Sequence, residues 1–263
     1  MNEPIWVGRA RTSMEEHRRI AATIRGRHHA AALLAVVLLF ACIISRADEP
    51  YARSRDYDLQ NARISLQFDL ENRKVLGEVQ HSLVILRDDV ERLSFDSVAL
   101  NIQGVAVNGQ AAKFDTTATQ LLVALGRPAK TGEKYEVAIR YEGQPKKGLY
   151  FVLPDKDYPG RPKQIWTQGE AEDTRYYIPI YDYPNDRLTT EVILTVPAEW
   201  VTVSNGKLMN VKEERDGMKT WDWKLSEPHS SYLISVLAGE FDRAEESWRN
   251  IPVTYYAPRG RGN

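Results

Sequence analysis

From Tyr57 onward the chain alternates apolar and polar residues with a period of two, and no apolar stripe of helical spacing and useful length interrupts that rhythm. Ile64, Leu66, Phe68 and Leu70 fall on one side, as do Leu121, Val123 and Leu125, and then Tyr135, Val137, Ile139 and Tyr141. Val192, Leu194 and Val196 repeat the pattern, followed by Tyr232, Ile234 and Val236. Such alternation is the mark of strands buried on one face. Asn108-Gly109 and Asn205-Gly206, each next to apolar runs, read as hairpin turns. Trp221 and Trp223 flank Asp222 on a further alternating stretch, where core or edge packing explains them better than a carbohydrate platform. Upward of about ten short strands predict an all-β fold, a large antiparallel, saddle-shaped β-sandwich. A sheet over residues 57–263 has ample chain for a core.

The amino-terminal part obeys a different rule. Residues 1–29 are rich in arginine and form a basic region, and residues 30–44 are an unbroken apolar run. Fifteen residues make about 22 Å of helix, short of the roughly 30 Å hydrocarbon core. The stretch 30–47 therefore reads as one hydrophobic helix, either a signal-peptide h-region with cleavage after Ala47 or a membrane anchor with its arginines on the cytoplasmic side. Leu39-Phe40-Ala41-Cys42 also loosely resembles a lipobox, which leaves lipidation at Cys42 as a third form. All three put the linker 48–56 and the β-domain 57–263 outside the cytoplasm, periplasmic or extracellular, with membrane contact through residues 30–45.

Charge and cysteine content narrow the function. Lysine and arginine number 35 against 36 acidic residues. This balance argues against nucleic acid as a partner. Cys42 is the single cysteine, so neither an intrachain disulfide nor a cysteine-rich zinc site can form. None of the five histidines belongs to an H-E-x-x-H pair. His81, in a strand pattern, and His229, beside Pro228, read as structural. No G-x-S-x-G is present. The chemistry concentrates instead between Trp166 and Arg187, in a proline- and aromatic-rich stretch that breaks the strand rhythm. There Glu170, Glu172 and Asp173 cluster beside Gln168 and Arg175. A carboxylate and an amide on one loop can hold an ammonium group by charge-assisted hydrogen bonds. A solvated turn, or an acid/base pair of carboxylates, also fits those residues taken alone.

The run Trp166-Thr167-Gln168-Gly169-Glu170-Ala171, with Arg175, Pro179, Asp182 and Pro184, resembles the amino-terminal domain of the aminopeptidase N family of zinc metallopeptidases. That family shows Thr-Gln-x-Glu, an acidic step, an arginine and an aromatic-Pro-x-x-Asp-x-Pro run. A Val-Pro strand and a Ser-Asn-Gly turn follow, here Val196-Pro197 and Ser204-Asn205-Gly206. Tyr57-Asp58-Leu59 and Gly77-Glu78-Val79 resemble its first strands, and the stretch from Tyr232 to Phe241 its closing strand. Ile180 and Tyr183 depart from the family pattern, which often has Cys and Glu there.

The resemblance covers residues 55–260 and implies a saddle-like β-domain ahead of a thermolysin-like catalytic domain. It implies that Glu170 binds the free α-amine of a peptide and that Gln168 lines the pocket for its first side chain. Arg175, Pro179 and Asp182 would hold the loop. It implies no catalytic residue and no metal ligand here: zinc and its H-E-x-x-H belong to a catalytic domain missing from this sequence, in cis or on a separate chain. On this reading the chain is an inactive fragment of a metallo-aminopeptidase. The alternative is a stand-alone exported β-sandwich that binds peptides or a protein.

Overall fold

The computed structural model describes residues 52–261. The apolar run 30–44, its basic flank and the readings placed on them lie outside the described residues. Among the described residues no helix is long and apolar enough to cross a membrane.

Among the described residues there are seventeen strands and two single 3-10 turns, Thr174–Tyr176 and Ser231–Leu233. The strands are β1 (Tyr57–Asp69), β2 (Lys74–Ile85), β3 (Val90–Asp96), β4 (Leu100–Val107), β5 (Gln110–Ala111), β6 (Phe114–Thr116), β7 (Gln120–Ala129) and β8 (Lys134–Gly143). Then come β9 (Leu149–Val152), β10 (Gln164–Thr167), β11 (Leu188–Pro197), β12 (Val201–Ser204), β13 (Lys207–Glu213), β14 (Met218–His229), β15 (Val236–Gly239), β16 (Phe241–Trp248) and β17 (Ile251–Pro258). An eight-stranded sheet runs β13-β14-β11-β1-β2-β8-β4-β5. A three-stranded sheet, β3-β7-β6, and a four-stranded sheet, β12-β15-β10-β9, stand apart from it, and β16 and β17 form a ribbon. The fold is an all-β sandwich.

The alternation read in the sequence sorts the side chains. Tyr135, Val137, Ile139 and Tyr141 are buried along β8, and Val192, Leu194 and Val196 along β11. In β1 the buried set runs Tyr57, Leu59, then Ala62, Ile64 and Leu66, a change from odd to even positions. The pairing with β2 shifts between Leu59 and Asn61, so one extra residue re-aims the strand without losing the core face. Phe95 of β3 stacks on His81 of β2 at 5.0 Å and meets Tyr57 at 5.4 Å, which seats the three-stranded sheet on the large one. Trp223 of β14 donates its indole N–H to the Thr202 hydroxyl of β12 at 2.9 Å, and Phe68 meets Phe151 edge-on. These contacts seat the four-stranded sheet.

Three expectations are corrected. The large sheet is not wholly antiparallel: β1 and β11 run parallel, with Ile64 opposite Val192. Asn205-Gly206 is no hairpin, because β12 pairs with β15 and β13 with β14, so this turn carries the chain between sheets. Tyr232 lies in a 3-10 turn, and the strand that follows starts at Val236. Asn108-Gly109 does close a hairpin: both residues have positive φ, 49° and 79°, and Val107 pairs with Gln110.

Candidate functional site

The loop between β10 and β11 carries Gln168 and Glu170. Its entry extends the β10 ladder: the Gln168 N–H donates to the Gly148 carbonyl at 2.9 Å. The Thr167 hydroxyl accepts the Val236 N–H at 2.8 Å. The chain then folds over at Gly169, whose carbonyl accepts the Asp173 N–H at 2.8 Å. A Cβ at Gly169 would stand 2.6 Å from the Tyr232 carbonyl oxygen, so only glycine lets the loop lie this close to the Ser231–Leu233 turn. Gly148 plays the same part from the other side, with φ of +75° and the Asp173 carbonyl against its Cα hydrogen. The peptide bond between Glu170 and Ala171 is cis.

Past this fold the chain dives inward. Tyr177, Ile178 and Ile180 are fully buried between the sheets. The Tyr177 hydroxyl donates to the Ile234 carbonyl at 3.1 Å, and the Tyr141 hydroxyl donates to the Tyr177 carbonyl at 2.8 Å. His81 reaches the Pro179 carbonyl at 2.8 Å. Asp96 and Ile180 exchange backbone hydrogen bonds of 2.7 and 3.0 Å. Arg175 and Asp182 lock the two limbs together. Asp182 accepts the Arg175 backbone N–H at 3.0 Å and its Nε–H at 3.3 Å, while the guanidinium donates to the Asp182 carbonyl at 2.7 Å. The Ser231 hydroxyl donates to the other oxygen of Asp182 at 2.7 Å. Burial raises the Asp182 carboxyl above its usual range, against the pull of Ser231 and Arg175.

The three clustered carboxylates are not equivalent. Glu172 pairs with Arg175, and Asp173 faces Lys147 at 3.9 Å. Among the described residues no ion pair engages Glu170, which is exposed, as is Gln168. Trp166, two residues before Gln168 on the exposed side of β10, is 39% exposed and stacks on Tyr150 of β9 at 4.6 Å. Neither Gln168 nor Glu170 lines any of four concavities of about 320 to 600 Å³ along the large sheet and the β3–β7 pair. The loop thus presents one unpaired carboxylate and one amide to solvent.

His81 and His229 face inward. His229 bonds the Thr190 hydroxyl at 2.9 Å, and burial lowers its pKa. Sequence reasoning missed Asp96, Arg53 and Ser231 as supports of the loop. They lie 86, 129 and 49 positions from Asp182, with no local pattern that links them.

A family profile, the peptidase M1 N-terminal domain, matches residues 53–233. Aminopeptidase N of Acetobacter pasteurianus is 27% identical over 205 residues, covering 75% of this chain and 57% of that protein. A probable aminopeptidase 1 of Saccharolobus solfataricus is 24% identical over 170 residues, 65% of this chain and 21% of that protein. The chain thus spans just over half the length of one curated relative and about a fifth of the other. The crystal structure of an M1 zinc metallopeptidase from Deinococcus radiodurans superposes with a TM-score of 0.64 at 25% identity, covering 76% of this chain and 46% of that one. Among the described residues, no three His, Cys, Asp or Glu side chains gather where they could hold a metal ion, so the described residues do not fit a zinc centre. With the profile matched over well more than half its length, this chain belongs to the peptidase M1 N-terminal domain family.

Proposed function

We propose that this chain supplies the substrate-anchoring domain of a zinc-dependent aminopeptidase, with Glu170 holding the α-ammonium group of a peptide and Gln168 lining the pocket for the first side chain. One observation carries the reading: of three neighbouring carboxylates, Glu170 alone is exposed and unengaged by any described cation, on a loop pinned from beneath. An ammonium needs a fixed carboxylate, and charge-assisted hydrogen bonds of this kind are about twice as strong as neutral ones. Holding the amine at a set point fixes which peptide bond lies next to it, and that is exopeptidase register. The zinc, and the general base that acts with it, belong to a catalytic domain whose residues are not in this sequence. The apolar run 30–44 and its arginine flank support export of the β-domain, by a cleaved signal or on an anchor.

Titration of the full chain with trialanine and with N-acetyl-trialanine tests the reading. The free-amine peptide binds and the acetylated one does not, and Glu170→Gln weakens the former by about tenfold or more. Equal binding of the two peptides, or an unchanged affinity in Glu170→Gln, overturns it.

A further inference from the structure

The segment ahead of β1 is fastened across the exit of the same loop. Arg53 donates to Asp96 at 2.7 Å, and its guanidinium lies 4.5 Å from the centre of the Tyr181 ring. Its backbone carbonyl accepts the Asn185 side-chain amide at 2.7 Å. Two residues on, Arg55 pairs with Asp186 at 2.5 Å and with Asp58 at 2.7 Å. Residues 53–55 therefore form a strap over residues 181–186.

The strap enters the network that holds the candidate anchor. Asp96, 4% exposed, accepts Arg53 on the same oxygen that accepts the Asp182 N–H at 2.9 Å, and its other oxygen faces Arg175 at 3.9 Å. Arg175 in turn holds both Asp182 and Glu172. Two buried carboxylates, Asp96 and Asp182, thus stand within reach of one arginine that must also hold Glu172, two residues from Glu170. Arg53 is the second cation of this set. A buried carboxylate that loses its partner recruits the nearest remaining cation, because an uncompensated charge away from water is costly. Without Arg53 that cation is Arg175, and the contact with most solvent access, the one to Glu172, is the one that gives way.

We propose that Arg53 is a positioning residue for the substrate loop: its charge satisfies Asp96, which leaves Arg175 free to fix the 169–176 turn and with it Glu170. The part played by Glu170 rests on the function proposed above; the link from Arg53 to the loop does not. The strap also makes the loop's order depend on the residues that directly precede the β-domain. Processing after Ala47 keeps Arg53, whereas a cut beyond it severs the link.

Hydrogen–deuterium exchange on the full chain tests this in the wild type, Arg53→Gln, Arg53→Lys and the control Arg92→Gln. Arg92 lies on the same strand as Asp96 but makes an exposed pair with Asp115. The amides of 169–176 exchange about tenfold faster in Arg53→Gln, those of β2 and β8 do not change, Arg53→Lys restores the wild-type rate, and Arg92→Gln matches it throughout. The preference for trialanine over N-acetyl-trialanine shrinks in Arg53→Gln alone. Unchanged exchange in Arg53→Gln overturns the proposal, as does acceleration shared equally by β2 and β8, or failure of lysine to restore the loop. Faster loop exchange in a chain whose wild type shows no amine preference upholds the link from Arg53 and removes only the anchoring role of Glu170.

Discussion

His81 has one ring nitrogen at the Pro179 carbonyl and the other, Nδ1, buried without a partner. A carbonyl only accepts, so Nε2 carries the proton and the imidazole is neutral. A second proton would land on Nδ1 in an apolar setting, and burial accordingly lowers the pKa to about 4. The folded value lies below the unfolded one of about 6.5, so the stability tied to neutral His81 is present above pH 6.5 and is lost as pH falls toward 4. Asp186 acts in the opposite sense: burial raises its carboxyl to about 6, so its protonation below that pH favours the fold. In urea unfolding, the advantage of wild type over His81→Phe shrinks by about 2 kcal/mol between pH 7 and pH 5. A constant difference between the two proteins would show that His81 is not buried neutral.

At the same scale, Gln168 and Glu170 stand out in the sequence as candidates because they belong to one short motif. The motif singles out Glu170, but it does not say which carboxylates of the cluster are paired. That pairing comes from Arg175, whose reach to Glu172 depends on a fold that brings residues 96, 175, 182 and 231 together.

Between elements, two turns with the same Asn-Gly sequence do different work. Gly109 closes the β4–β5 hairpin with open space around it, whereas a Cβ on Gly206 would stand 2.0 Å from the Lys224 carbonyl oxygen. Both have positive φ. Gly109→Ala therefore costs about 1–2 kcal/mol in urea unfolding, the cost of a left-handed conformation. Gly206→Ala costs a further ~1–3 kcal/mol from overpacking against backbone. Equal losses would contradict the close approach of the β12–β13 turn to β14. The strands themselves were legible because alternation marks which face is buried. Alternation says nothing of partner or direction, so the parallel pairing of β1 with β11, elements about 130 positions apart in register, could not be read from it. The bulge near Gln60 was hidden for a related reason: it changes the phase of a pattern that looks regular on either side.

For the whole molecule, the ribbon of β16 and β17 is the part least able to stand alone. It pairs with no other strand among the described residues, and Trp248, Ile251 and Tyr255 are more than half exposed. Two strands are marginal in water without a packed face, and a run of apolar side chains on one marks a contact surface. The chain accordingly self-associates at micromolar concentration in sedimentation runs, and Trp248→Ser with Ile251→Ser reduces that association without lowering the unfolding midpoint of the sandwich. A monomer at all concentrations would show that the ribbon needs no cover.

The central claim, proposed above, is that Glu170 anchors the amine of a peptide beside a zinc centre carried by a separate catalytic domain, in cis or on another chain. The most direct measurement is the coding sequence downstream of the Asn263 codon. The account predicts an H-E-x-x-H segment, in this reading frame or a neighbouring one. A stop codon at that point, with no H-E-x-x-H nearby, would contradict it.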